Sequence, residues 1–410
     1  MGERVGILTG GGDVPGLNLC IKSLVYRLID LGLEPIGIRK GWEGLVRYNH
    51  RDRSTHGSNF IELTKNMVRP IDRTSGSFLH SSRLNPFQVP PQHMPDFLRQ
   101  PGQAGQDLSG HIADAIGRLG FRALIVIGSN DTLCEAARLS QQGVPIVAIP
   151  KTYHNNVLGT DYTLGFSTAL ARGVAFIHEL RALAGSREQI AVIETFGHKS
   201  GFSSLMVAFL AGADRVLIPE ADFDPELLAT LVLRDQRQNP NNYAIVVVSD
   251  GSQIISEKIP QYSPHLSLRS RSAVLQSLTA EKAQALREEF DLTGVVETGT
   301  SMAGSGMVVA ELLKYLTGKE VFLQSLNYLL RTGSPDGQDL LGATNFAILA
   351  ARLVKQGQFG RMTAFQEGAT WTDVDLNVVI QGVKAVDVDE MYDVDNYQPK
   401  VSVIWAAKES

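Results

Sequence analysis

The chain has 410 residues, a formal net charge of −5, 43% hydrophobic residues and 20% charged residues. This composition is typical of a globular protein long enough for two domains, and no apolar run is long enough to span a bilayer. The negative charge gives no overall attraction to nucleic acid or to anionic membranes. Because the first strand pattern begins almost at the N-terminus, we expect no signal peptide and a cytoplasmic location.

Short apolar runs that are rich in β-branched residues recur along the chain, as in RVGIL, ALIVIG, PIVAIP, QIAVIE, RVLIP and YAIVVVS. Amphipathic segments of helix length separate them, such as GLNLCIKSLVYRLIDLG and DTLCEAARLSQQG. This alternation predicts doubly wound α/β domains with buried parallel sheets. Residues 84–110 break the alternation and are predicted to form a long surface loop. Cys20 and Cys134 fall in helical patterns, which favours buried thiols over a disulfide or a metal pair.

A glycine-rich turn follows the first predicted strand, in the segment GILTGGGDVPGLN. Glycines at Gly11 and Gly12 allow backbone N–H groups to approach an anion at the start of the next helix. The same glycines are also compatible with a plain tight turn between a strand and a helix. The cluster alone therefore predicts either an anion site or a structural turn.

Further segments, in order along the chain, are GSFLHSSRLNPF, IGSNDT, PKTYHNNVLGTDYTLGFSTA, ETFGHKSG and LLRTGSPDGQDLLGATNFA. Together with the glycine turn they resemble the phosphofructokinase family. The resemblance implies two Rossmann-like domains with the active site in the cleft between them, and magnesium-dependent phosphoryl transfer to fructose 6-phosphate. Residues 1–165 and about 330–380 would bind the phosphoryl donor. Residues 166–329 and about 381–410 would bind the sugar phosphate.

The donor side resembles the branch of the family that uses pyrophosphate. That branch has Asp-Thr where ATP users have Gly-Ser, and Pro-Lys-Thr where ATP users have Pro-Gly-Thr; this chain has Asp131-Thr132 and Lys151-Thr152. A carboxylate at Asp131 would repel an ATP phosphate, whereas Lys151 would pair with pyrophosphate. Gly11, Gly12 and Arg83 are the other donor-binding residues that the resemblance implies.

The catalytic positions depart from the family pattern. The aspartate that removes the proton from the sugar hydroxyl is replaced by His154, and a second aspartate two residues later is replaced by Asn156. The aspartate that organises magnesium is replaced by the neutral Asn130, so a magnesium site is doubtful unless Asp131 supplies the carboxylate. An imidazole that titrates near neutrality remains suited to proton transfer, so His154 is retained as a candidate base. Lys151 and Thr152 are the other catalytic residues that the resemblance implies.

The sugar-phosphate positions are also altered. Two phosphate-binding arginines are replaced, one by Gln189 and one by Phe322, and an apolar ring cannot replace the charge-assisted hydrogen bonds of a guanidinium. The resemblance implies a sugar side formed by Gln189, Phe196, His198, Asp250, Phe322, Tyr328 and Arg331, of which Arg331 keeps the family residue.

Three interpretations remain open from the sequence. The first is a non-catalytic or regulatory subunit that assembles with an active paralogue, because metal ligand, base and phosphate ligands act as a unit and have changed together. The second is an active, divergent pyrophosphate-dependent kinase that uses His154. The third is a phosphotransferase of altered specificity. We expect phosphate or pyrophosphate as a ligand, weak binding of fructose 6-phosphate at most, a homo- or hetero-oligomer, and no nucleic acid or membrane partner.

Overall fold

The computed structural model describes residues 2–99, 105–267, 269–271, 274, 304–366, 368 and 370–400. The chain divides into two compact units. The first unit contains Met1–Ala169 and Arg331–Lys384, and the second contains Leu170–Leu330 and Ala385–Ser410.

Thirteen strands lie within the described residues, and they are numbered in chain order. They are β1 Glu3–Gly10, β2 Leu33–Ile38, β3 Phe60–Glu62, β4 Phe121–Gly128, β5 Ile146–Pro150, β6 Ile190–Thr195, β7 Arg215–Leu217, β8 Ala244–Ser249, β9 Val321–Ser325, β10 Arg361–Gln366, β11 Thr370–Asp375, β12 Tyr392–Asp393 and β13 Gln398–Pro399.

The α-helices of the described residues are numbered in the same way. They are α1 Leu17–Asp30, α2 Trp42–Val46, α3 Ser54–Asn59, α4 Lys65–Val68, α5 Ser109–Arg118, α6 Asn130–Gln141, α7 Phe166–Arg187, α8 Phe202–Ala211, α9 Pro225–Gln238, α10 Ile259–Tyr262, α11 Ser305–Thr317, α12 Gly337–Gln356 and α13 Val388–Met391. No helix among the described residues is both long enough and apolar enough to cross a membrane.

The first unit is built on a seven-stranded sheet with the order β11-β10-β5-β4-β1-β2-β3. Its five central strands are parallel, and the edge strands β3 and β11 are antiparallel to their neighbours. The central strands consist largely of buried residues, and the last six residues of both β1 and β4 are buried. Continuous apolar strands are what a parallel sheet covered by helices on both faces requires, so the predicted doubly wound α/β class is confirmed.

The second unit contains a four-stranded parallel sheet with the order β7-β8-β6-β9 and a separate antiparallel pair, β12-β13. Every residue of β6 and of β8 is buried. An ion pair fixes one side of this sheet: Arg215, 2% exposed, donates two hydrogen bonds to Asp235 and a third to the carbonyl oxygen of Asn396. A buried guanidinium with all these partners is stabilising, whereas one left without its carboxylate would be costly.

The predicted surface excursion at 84–110 contains three-residue 3₁₀ turns and a single antiparallel bridge between Val89 and Gln106. Residues 100–104 of it lie outside the described residues. Both cysteines are free thiols, as predicted; Cys20 is buried and Cys134 is half-buried. Burial raises the pKa of the Cys20 thiol, which keeps it protonated and unreactive.

Candidate functional site

In the first unit, the order of the strands places three chain segments together at one edge of the sheet. The chain leaves β1 towards β2 on one side, whereas β4 lies on the other side of β1. The carboxyl ends of parallel strands at such a reversal are where α/β proteins bind ligands. The segments that follow β1, β4 and β5 therefore form the candidate donor site, and they carry most of the donor-side residues predicted from the sequence.

The glycine turn after β1 is closely packed. Gly11 has a φ of +78°, a backbone conformation that residues other than glycine rarely adopt. A methyl group at this position would also overlap the side chain of Ser129. A methyl group at Gly12 would overlap the guanidinium of Arg331. The amide of Gly11 donates to the carbonyl oxygen of Ser82 (3.1 Å), so this amide is already engaged by the protein. The turn is therefore both structural and lined by cationic groups.

Lys151 is fully buried beneath this turn. Its ammonium donates hydrogen bonds to the carbonyl oxygens of Gly10 (2.7 Å) and Gly12 (2.6 Å). The pKa of Lys151 is lowered to about 7, mainly by burial; Asp13 opposes this shift, whereas the charges of Arg331 and Arg83 add to it. The lysine thus supports the glycine turn from below, and its charge is sensitive to pH near neutrality.

Arg331 lies beside the glycine turn. It was expected on the sugar side, but it belongs to the first unit, where its guanidinium lies against Gly12 and over the ring of Tyr153 (5.1 Å). Arg83 is exposed nearby and interacts electrostatically with Lys151. The glycine turn therefore has three cationic side chains around it, an arrangement that favours an anion.

The three replaced catalytic positions lie at the carboxyl ends of β4 and β5. Asn130 begins α6, and its amide nitrogen is 3.9 Å from the sulfur of Cys134. The ring of His154 packs on that of Tyr153 with centroids 4.1 Å apart, and its backbone N–H donates to the hydroxyl of Thr152 (3.2 Å). The side-chain oxygens of Asn130 and Asn156 are buried and accept no hydrogen bond from any described residue.

These residues do not fit the magnesium ion that the family resemblance implies. Magnesium prefers carboxylate oxygens, but the described part of the chain contains no cluster of three His, Cys, Asp or Glu side chains able to hold a metal. Asp131 is exposed on the first turn of α6, and Asp13 interacts with Lys151. The side chains at this edge of the sheet therefore suit an anion better than a hard cation.

In the second unit, the carboxyl edge of the sheet carries buried carboxyl and hydroxyl groups. Glu194, 4% exposed, accepts hydrogen bonds from the backbone N–H of Gly306 (3.0 Å) and from the side chain of Asn327 (3.3 Å). Burial raises the pKa of Glu194, and the nearby Asp250 raises it further. The hydroxyls of Ser249 and Ser252 are buried here without a partner among the described residues. Such groups suit neutral hydroxyls better than a phosphate dianion.

Several predicted sugar-side residues lie at this edge. Asp250 follows β8 and accepts a hydrogen bond from the backbone N–H of Gly197 (2.8 Å), which fixes the turn after β6. The rings of Phe196 and Tyr328 meet edge to face, 5.6 Å apart, and Tyr328 is 65% exposed. His198, on the same turn, is exposed. The structure therefore brings Phe196, Tyr328 and Asp250 to the ends of adjacent strands.

Gln189 and Phe322 lie at the opposite end of this sheet from Phe196. Gln189 immediately precedes β6, and Phe322 is the second residue of β9, paired with Ala191. Both therefore lie where the strands begin, about 20 Å along β6 from Phe196 at 3.3 Å per residue. The sequence carried this signal, because Gln189 comes before its strand and Phe196 comes after it.

Sequence reasoning also missed two residues of the candidate site. Glu194 lies inside the apolar run QIAVIE, where a single carboxylate among apolar residues at a strand end could have identified it. Tyr153 is buried and contacts both Arg331 and His154. Its position next to a motif residue gave no separate signal.

Comparison with known proteins gives consistent results. The family model for phosphofructokinase matches residues 4–354. A pyrophosphate–fructose 6-phosphate 1-phosphotransferase of Dictyoglomus thermophilum is 32% identical over 94% of this chain and 95% of its own length. The ATP-dependent 6-phosphofructokinase 3 of Streptomyces coelicolor is 31% identical over 93% of this chain and 96% of its own length.

Among solved structures, a pyrophosphate-dependent phosphofructokinase of Marinobacter aquaeolei superimposes with a TM-score of 0.71 at 15% identity, covering 98% of this chain and 89% of that one. That likeness shows the same fold. The family match over most of the sequence, the two relatives above 30% identity and the glycine turn at the sheet reversal lead to one conclusion: the chain belongs to the phosphofructokinase family.

Proposed function

We propose that this chain is a phosphofructokinase-family protein that binds a small anion at its glycine turn but does not phosphorylate fructose 6-phosphate at a useful rate. The observation that carries the proposal is the replacement of all three catalytic carboxylates, at Asn130, His154 and Asn156, at the carboxyl ends of β4 and β5. Phosphoryl transfer depends on positioning and charge stabilisation by metal and base together, so these losses compound one another.

The anion that the turn binds is proposed to be phosphate or pyrophosphate. Lys151, Arg83 and Arg331 supply positive charge around Gly12, and Asp131 at the start of α6 disfavours the longer ATP chain. The relatives support both donor classes, because those from D. thermophilum and Amycolatopsis mediterranei carry a pyrophosphate name and one from S. coelicolor carries an ATP name, at nearly equal identity. The residues of this chain favour pyrophosphate.

Metal binding provides the direct test of the carboxylate argument. Restoring Asn130→Asp, His154→Asp and Asn156→Asp would add three anionic ligands at the ends of β4 and β5. We expect manganese, followed by electron paramagnetic resonance as a substitute for magnesium, to bind the triple variant at least tenfold more tightly than the parent chain. A surface variant, Asn66→Asp, adds charge elsewhere and should leave manganese binding unchanged. Equal binding by parent and triple variant would show that these positions do not form the metal site.

The role proposed for the chain is that of a non-catalytic or regulatory subunit that associates with an active member of the family. The changes are concentrated at catalytic positions, while the strands, the glycine turn and the Asp339 contacts that hold Gly165 and Thr168 are those of an ordered fold. Mixing the chain with an active phosphofructokinase from the same organism should give a co-eluting complex with an altered half-saturation for fructose 6-phosphate. Separate elution and unchanged kinetics would contradict this role.

A second candidate is an active pyrophosphate-dependent kinase in which His154 is the base. The placement of His154 after β5, at the same sheet edge as Lys151, favours it. In that case the purified chain would turn over, and His154→Ala would remove activity together with its pH dependence near neutrality. Turnover that is unaffected by His154→Ala would exclude this candidate.

A further inference from the structure

A cavity lies in the first unit, beside the carboxyl end of β2. Its volume is about 520 Å³, within the range of small-molecule sites. Its walls come from the end of β2, from α2 and α3, from the turn after Leu79 and from the surface excursion, with Arg39, Lys40, Arg47, His80 and Phe97 as its main side chains. We call it the β2 cavity.

The β2 cavity is strongly basic. Both Arg39 and Lys40 line the cavity, and among the described residues neither has a hydrogen-bond or ion-pair partner for its side chain. Arg47 is paired with Glu43 (2.8 Å), and Asp96, the one carboxylate among the described residues that line the cavity, is paired with Arg99 at 3.3 Å. Two adjacent, unneutralised cations in one cavity attract an anion.

Two of the basic residues that line the cavity have an unusual backbone conformation. Lys40 and His80 have φ values of +57° and +59°, a region that residues other than glycine rarely occupy and that costs about 1 kcal/mol or more each. The conformations are fixed by a hydrogen bond from the Lys40 amide to Leu79 (2.9 Å) and one from the Thr9 hydroxyl to His80 (2.9 Å). Such conformations persist where the surrounding structure holds them in place, and they are concentrated at active sites and ligand sites.

An aromatic side chain lies at the rim of the cavity. Phe97 is 45% exposed, and its ring lies 6.0 Å from that of His111, which supports it from below. An exposed phenyl ring beside cationic groups can stack on a planar ring of a ligand while the cations hold an acidic group. The donor-site residues Gly12, Arg83 and Lys151 do not line this cavity.

We propose that the β2 cavity is a second ligand site, separate from the glycine turn, that binds a small phosphate ester carrying a planar ring. The phosphate lies between Arg39, Lys40 and His80, and the ring lies on Phe97. This site goes beyond the proposed function, because neither anion binding at the glycine turn nor the catalytic residues are involved in it.

Calorimetric titration with four probes tests the proposal: AMP, ribose 5-phosphate, inorganic phosphate and adenosine. We expect AMP to bind most tightly, ribose 5-phosphate more weakly, and adenosine not at all, because the charged contacts contribute most of the affinity. The variants Arg39→Gln and Lys40→Asn should each weaken AMP about tenfold or more. Asparagine is chosen at position 40 because it tolerates a positive φ. Phe97→Ala should weaken AMP but leave ribose 5-phosphate unchanged.

Two control variants separate this site from its surroundings. Arg51→Gln removes an exposed cation of the same segment that does not line the cavity, and AMP binding should not change. Arg83→Gln acts at the glycine turn and should also leave AMP binding unchanged. The proposal is overturned if no probe binds saturably at about 1 mM, or if Arg83→Gln weakens AMP while Arg39→Gln and Lys40→Asn do not.

Discussion

Replacing Lys151 with methionine should alter how the stability of the protein depends on pH. Lys151 is fully buried, and burial lowers its pKa from the ordinary value of 10.5 to about 7. Between these two values the unfolded chain holds the proton and the folded chain does not. The free energy of unfolding therefore rises with pH in this window, by at most about 1.4 kcal/mol per pH unit.

Integrated from pH 7 to pH 10, this slope should raise the free energy of unfolding of the wild-type chain by about 3–4 kcal/mol relative to that of Lys151→Met. At pH 6.5, below the pKa of about 7, Lys151 is mostly charged in the folded chain as well as in the unfolded chain. There the charged ammonium is penalised by burial, and its hydrogen bonds to the carbonyl oxygens of Gly10 and Gly12, at 2.7 and 2.6 Å, offset only part of that penalty. The free energy of unfolding of the variant should thus be closest to that of the wild type at low pH, and the wild type should become increasingly more stable than the variant as pH rises.

Urea unfolding at several pH values, followed by circular dichroism, measures this difference. A control variant, Lys319→Met, removes an exposed lysine and should follow the wild type at every pH. Subtracting each variant from the wild type at the same pH removes the contribution of other titrating groups. A wild-type-minus-Lys151→Met difference that stays constant from pH 7 to 10 would refute the assignment of a low pKa to Lys151.

Two further predictions follow from single contacts. Gly12→Ala should displace the guanidinium of Arg331 and weaken calorimetric binding of sulfate severalfold, whereas Gly110→Ala, which has open space around it, should leave sulfate binding unchanged; equal effects would show that Arg331 does not contribute to the anion site. Asp235→Asn should lower the free energy of unfolding by about 3–5 kcal/mol, because it leaves the buried Arg215 without its carboxylate; a loss below about 1 kcal/mol would place this pair among weak surface contacts.

The sequence predicted the first unit well, and the reason is local. The strand before Gly11 and the strands before Asn130 and Lys151 are continuous apolar runs, and parallel strands place the residues that follow them at one edge. The glycine turn, the altered residues Asn130, His154 and Asn156, and Lys151 could therefore be assigned to one site. The direction of the Lys151 ammonium could not, because hydrogen bonds to Gly10 and Gly12 depend on the distance between strands and not on the sequence spacing.

The second unit was predicted less well. Gln189, Phe322 and Phe196 were grouped by their correspondence to family motifs, but they lie at opposite ends of β6 and β9. A motif correspondence identifies which residues have changed and does not give the end of the strand at which each one lies. In the same way, the motif correspondence of Arg331 did not indicate its contact with Gly12.

The central claim is that the chain, alone, does not phosphorylate fructose 6-phosphate, and a coupled enzymatic assay tests it most directly. The purified chain is supplied with magnesium, fructose 6-phosphate and either pyrophosphate or ATP, with the relative from D. thermophilum run beside it as the positive control. Because metal and base carboxylates are absent at Asn130, His154 and Asn156, we predict no turnover above background with either donor. Turnover of about 1 s⁻¹ or more with pyrophosphate or ATP would contradict the claim.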